Sequence, residues 1–208
     1  MEDLLAVYHR PSDPQRPLIC LDEKSKELHG EARAPLPPRP GTPARQDYEY
    51  VRHGTANLFL WFAPLEGRRQ VKVTEHRTKR DWAELVRELV DVQYPAAETI
   101  VLVVDNLNTH TLGALYETFE PAEARRIAAK LEIHYTPKHG SWLNMAEVEL
   151  SILGRQCLTQ RIPDAATLQQ EGSAWEAERN ARAAKMQWRF TAEDARIKLK
   201  HLYPTLLP

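Results

Sequence analysis

The sequence predicts a mixed α/β sheet covered by helices on both faces. Three observations carry this. Strand-like segments crowd the first third of the chain, the second half alternates strand and helix, and Ile100–Val104 is a run of five aliphatics. A run apolar on both faces suits a central strand buried between helical layers. With 208 residues, 42% of them hydrophobic and 27% charged, the chain can bury the core of one large domain, and global disorder is excluded.

The elements follow in order. Glu2–Tyr8 predicts a short helix, ended by Pro11, Pro14 and Pro17. Leu18–Leu21 predicts a strand that stops at Asp22. Five prolines in Ala34–Pro43 enforce an extended loop, because proline donates nothing to a ladder and breaks helices. Tyr48–Val51 and Ala56–Phe62 are strand material, rich in aromatic and branched residues. Pro64–Gly67 is a turn, and Arg69–Glu75 alternates as a half-buried strand does. Thr78 can cap a helix over Lys79–Val92, in which Trp82, Leu85, Val86, Leu89 and Val90 recur at helical spacing. Helix Pro121–Leu131, strand Ile133–Tyr135 and a helix capped by Ser141 and running to Leu158 come next. Asp164–Met186 and Thr191–Leu202 complete the set as helices with charged outer faces.

Composition narrows the function classes. The formal net charge is -1, so nothing in the total announces a free-standing nucleic-acid binder. The two cysteines, Cys20 and Cys157, make neither a disulfide framework nor a zinc knuckle and fit a reducing compartment. There is no apolar run near membrane length and no apolar leader, which predicts a cytoplasmic protein without membrane partners. Glycine-rich nucleotide loops and a nucleophile elbow are missing too.

Two aspartates close aliphatic runs: Asp22 follows Leu18–Leu21 and Asp105 follows Ile100–Val104. In open α/β sheets chemistry collects beyond the carboxyl ends of strands. Either aspartate alone is an ordinary loop-opening residue; as a pair they point to a shared site. Divalent-metal phosphodiester chemistry needs such carboxylates and a third acid. Glu147 and Glu149 compete for that place. They point about 200° apart on a helix, each on a partly apolar stripe, so periodicity does not choose between them. From the residues alone both read as solvated helix acids.

The motifs choose. VVDNLNTH followed by YTPKHGSWLNMAEVEL resembles the catalytic domain of bacterial insertion-sequence transposases, the insertion sequence 630 family within the Tc/mariner superfamily of DDE transposases. Asp105, Asn106 and His110 match the second acid's surroundings. Pro137, Ser141, Leu143, Asn144 and Glu147 match the segment closed by the third, and Asp22 in CLDEKSKEL matches the first. The ending WRFTAEDARIKL extends the likeness along the chain. The resemblance implies an RNase H-like α/β fold, a mixed five-stranded sheet flanked by helices. It would be a single catalytic domain over residues 1–208, with an N-terminal extension at 1–16 and a C-terminal helical extension at 160–208. It further implies metal-dependent DNA cleavage and strand transfer with two Mg²⁺ or Mn²⁺ ions, Asp22 bridging both, Asp105 and Glu147 each holding one.

The partners implied are element ends, target DNA at TA and further copies of the chain on DNA, in a cytoplasmic, nucleoid-associated setting. Two departures stand out. The 41 residues between Asp105 and Glu147 exceed the family's usual interval, the excess falling in Thr111–Arg125. The helix-turn-helix module that precedes this domain in the family has no room before Asp22, so a separate DNA-binding part encoded upstream is expected.

Asn106, His110, Lys138, His139 and Asn144 are candidate DNA contacts, and His110 could instead position a metal-bound water. Trp142 could stack on a base, although a tryptophan at a helix start is more often core. Basic clusters at Arg68–Arg80 and Arg179–Lys200 could meet phosphates or be charged helix faces. Two other functions remain open at this level: a non-catalytic fragment that regulates or oligomerises with a transposase, and a general RNase H-like nuclease.

Overall fold

The computed structural model describes residues Met1–Tyr203; the last five residues of the expected C-terminal extension lie outside the described residues. The sheet has five strands in the order β3-β2-β1-β4-β5. The strands are β1 (Leu18–Glu31), β2 (Tyr50–Ala63), β3 (Arg68–Thr74), β4 (Ile100–Val104) and β5 (Leu131–Tyr135). The first three form an antiparallel meander, and β4 and β5 add in parallel beside β1. Meander first and alternation second is the order the sequence predicts.

Seven α-helices flank the sheet among the described residues: α1 (Glu2–Tyr8), α2 (Lys79–Glu88), α3 (Leu112–Thr118), α4 (Pro121–Ala128), α5 (Met145–Gln156), α6 (Ala165–Ala181) and α7 (Ala192–Lys198). No helix is long and apolar enough to cross a membrane among the described residues. Strand parity sorts the core into two layers. Leu18, Cys20, Val101 and Val103 point to one face and pack with Leu143, Met145, Leu150 and Leu153 around α5. Ile19, Leu21, Ile100, Leu102 and Val104 point to the other, against Trp82, Leu85, Val86 and Leu89 of α2.

Several boundaries differ from the expected ones, each for a physical reason. β1 does not stop at Asp22 but continues to Glu31, paired with β2 alone, whose segment Ala56–Phe62 joins Tyr50 in one strand. Most of this distal ribbon is exposed and polar, which disguises it as loop, although Leu28 of β1 and Ala56 and Leu58 of β2 still turn into the core. It is anchored by backbone and side chain: His29 N–H donates to the Ile162 carbonyl at 2.8 Å, and Arg161 pairs with Glu31 at 2.5 Å. α2 begins at a capping box between Thr78 and Asp81 and ends in a π-turn over Leu89–Gln93. The excess between Asp105 and Glu147 folds as α3 and the start of α4. The helix expected from Ser141 is broken: a 3-10 turn spans Ser141–Leu143, and Asn144 caps α5 by accepting from Ala146 N–H at 3.1 Å.

The outer edge of β3 is closed by side chains of α6. Asn180 pairs both ways with the Arg69 backbone, Glu176 accepts from Val71 N–H at 2.8 Å, and Gln169 accepts from Val73 N–H at 2.8 Å. These residues share one face of α6, which runs antiparallel to β3.

Candidate functional site

Register places the two aspartates level with each other. Cys20 pairs with Val103 across the parallel β1–β4 ladder, and two residues further on each chain stand Asp22 and Asp105. Adjacent strands lie about 4.8 Å apart, and a two-residue step preserves the face. Asp22 keeps the Cys20 face, the one covered by α5, and Asp105, the first residue past β4, stands beside it at the strand end, where it can reach both layers. Asp22 stays within β1 but lies past the last β1–β4 pair, at the open end of the sheet.

α5 brings Glu147 in its first turn to the same place. Its entry is set by Asn144, which is fully buried: its Nδ2 donates to the Leu21 carbonyl at 2.9 Å, tying the helix start to the residue before Asp22. The result is an open cleft of about 370 Å³ lined by Asp22, Asp105, Glu147, Lys24 and Ser141 among others. A second hollow of about 360 Å³ shares Asp105 and Ser141 with it and holds Asn106, Lys138 and His139, all exposed.

The cleft is short of positive charge. Burial pushes the Asp22 carboxyl up to about 7; the Glu23 N–H it accepts at 2.8 Å works against this, and repulsion from Asp105, Glu23 and Glu147 adds to it. A group of oxygen donors that resist sharing negative charge suits a hard divalent cation.

Beneath the cleft, on the opposite face of the sheet, lies a buried trio. His110 has no exposed surface. Its Nδ1 is 2.5 Å from Asp105 Oδ1 and its Nε2 is 2.9 Å from Glu23 Oε2, with the ring stacked on Trp82 at 5.9 Å. The contacts are ion-pair distances rather than aligned hydrogen bonds, and none of these four atoms makes an aligned bond elsewhere. Burial alone would push His110 down; the Asp105 and Glu23 carboxylates outweigh it and hold the ring at about 9, as an imidazolium.

Several candidates receive other places than the sequence reading gave them. His110 and Asn144 are fully buried, so neither side chain can touch DNA: the first is enclosed by carboxylates, the second is spent on the α5 cap. Glu149 is no solvated acid. It is fully buried on the far side of α5, with Arg69 Nε 3.2 Å and Arg179 Nη2 2.8 Å from its oxygens. Arg69 thus leaves its basic cluster for the interior, and Arg179 is half-buried beside it. Trp142 is not core; it is 45% exposed and stacks on Trp188 at 6.1 Å. Glu23 was missed, although parity beside Asp22 turns it to the other face.

A family model described as DDE superfamily endonuclease matches residues 17–169, which span β1 to the start of α6 and include Asp22, Asp105 and Glu147. No curated protein matches in sequence. Among solved structures, the Mos1 mariner paired end complex with Mn matches at TM-score 0.56 and 20% identity, over 88% of this chain and 55% of that one. The Mos1 strand transfer complex matches at 0.55 and 18%, over 88% and 54%. The chain thus spans about half the length of these relatives and shares their RNase H-like fold. By the family model's span over most of its length, the chain belongs to the DDE superfamily endonucleases.

Proposed function

We propose that this chain is the catalytic domain of a transposase of the insertion sequence 630 type, cutting DNA at element ends and joining the cut strand to target DNA. The observation that carries the reading is the meeting of Asp22, Asp105 and Glu147, from two strands and a helix, in one open, charge-deficient cleft. DDE-type nucleases use divalent metal ions. The all-oxygen donor set suits two Mg²⁺ or Mn²⁺ ions, which Asp22, Asp105 and Glu147 would hold. When bound, such ions activate an attacking oxygen and stabilise the leaving one.

The chain's own residues do the rest. Register fixes Asp22 against Asp105, and the Asn144 cap fixes where Glu147 enters. Asn106, Lys138 and His139 line the adjoining hollow and would steady the strand passing the acids. Target preference for TA, assembly of several copies on DNA, a cytoplasmic site of action and a separate helix-turn-helix part that finds the element ends belong to the same reading. So does the division into one catalytic domain with extensions at 1–16 and 160–208.

Mg²⁺- or Mn²⁺-dependent nicking of a plasmid carrying the flanking element ends tests it. Asp22→Asn, Asp105→Asn and Glu147→Gln should each abolish nicking, and Glu149→Gln should retain it per folded molecule. Nicking that survives loss of any of the three acids would sink the proposal.

A further inference from the structure

We propose that Glu23 and His110 are positioning residues that hold the Asp105 carboxylate in the orientation in which it meets a divalent ion. This rests on the metal-holding role proposed for the three acids. Asp105 is the first residue after β4, where no ladder partner fixes it. A carboxylate at a strand end rotates freely about two bonds, and a rotating ligand binds an ion poorly, because its ordering must be met at the moment of binding. Here the rotation is stopped. His110 Nδ1 lies 2.5 Å from one Asp105 oxygen, Oδ1, while Asp105 also lines the cleft.

The histidine is itself held. Trp82 stacks on its ring, and Glu23 closes on its Nε2 at 2.9 Å. Asp22 and Glu23 are neighbours, yet strand alternation sends them to opposite faces. One strand thus supplies both a cleft acid and the buttress of a second cleft acid, coupling Asp22 and Asp105 through the backbone of β1. The trio is too tight to be an ion site in its own right. Two ligands at right angles around an ion at about 2.1 Å would stand ~3.0 Å apart, and the Asp105–His110 contact is shorter than that.

Mn²⁺ binding to the full chain, followed by electron paramagnetic resonance, tests the inference alongside plasmid nicking. An asparagine amide nitrogen falls close to where Nδ1 of histidine stands, and that of glutamine close to Nε2. His110→Asn can therefore still reach Asp105, whereas His110→Gln reaches only Glu23. Removing a partner behind a metal ligand typically weakens metal affinity about 10–100-fold. His110→Gln should show a loss in this range, with nicking partly restored at high Mn²⁺; His110→Asn should stay within a few-fold of the parent, and Glu23→Gln should fall between.

Thermal melting of each variant separates folding from binding. Equal Mn²⁺ affinity in His110→Gln and the parent overturns the inference, as does a parallel loss in both His110 variants that follows their melting temperatures. Mn²⁺ held by Asp22→Asn/Glu147→Gln and lost on adding His110→Ala would make the trio the ion site and overturn it too. If the parent itself binds no Mn²⁺, the proposed function fails instead.

Discussion

Glu149 is a fully buried acid and Asp22 a half-buried one, and they differ in what faces them. Glu149 meets two arginine side chains, Arg69 and Arg179. Removing one member of a buried ion-paired group leaves charge stranded in the interior, at about 3–5 kcal/mol. Glu149→Gln should lower the unfolding free energy by an amount of that order in urea titration. Asp22 has no arginine partner: burial, with repulsion from Asp105, Glu23 and Glu147 added, lifts its carboxyl to about 7 against an ordinary 3.8. The folded state therefore holds a proton that the unfolded chain has released between those pH values. Stability falls as pH rises from about 4 to about 7 and stays reduced above, which is the sign linkage requires for a raised carboxyl. Without metal, Asp22→Asn should raise the melting temperature at pH 8 and leave it unchanged near pH 3. About 1 kcal/mol corresponds to a gain of ~2–4 °C in a chain of this size. No gain at pH 8 would mean that burial and the neighbouring acids do not hold the Asp22 carboxyl above its ordinary range.

At the scale of elements, the α5 start is the joint that matters. Asn144 caps the helix and ties it to Leu21. Asn144→Ala removes a cap, worth about 1 kcal/mol, and orphans the buried Leu21 carbonyl, about 1–3 kcal/mol more. Chemical unfolding should show a loss near the sum, and Mn²⁺ affinity should fall with it, since Glu147 sits one turn in. This joint was only partly legible in the sequence. Ser141 and Asn144 are both good caps, and nothing local says that the asparagine also reaches across to β1. The two aliphatic strands, the parity of Asp22 and Asp105 and the opposed faces of Glu147 and Glu149 were legible, because period and length determine them. The distal ribbon of β1 was not, since Leu28 is the one apolar residue in EKSKEL and no apolar alternation marks it as strand. Nor was the burial of His110, a polar loop residue enclosed only when Glu23 arrives from a strand far away in the chain.

On the scale of the whole molecule, the last third of the chain completes the sheet rather than decorating it. The side chains of Asn180, Glu176 and Gln169 meet the backbone of Arg69, Val71 and Val73 at alternate positions, where a neighbouring strand's amides would otherwise sit. An open strand edge is a template for pairing with another chain. α6 thus works as a seal against polymerisation, made of side chains on a helix in place of a sixth strand. Replacing Gln169, Glu176 and Asn180 together by alanine leaves the apolar face of α6 intact, so the helix stays docked while three backbone sites fall vacant. The altered protein should keep its helical circular dichroism and still scatter light increasingly with concentration and time, as edges of separate molecules find each other. A triple variant that remains monodisperse would show that packing of α6, and not its amide-like side chains, keeps this protein from growing into fibres.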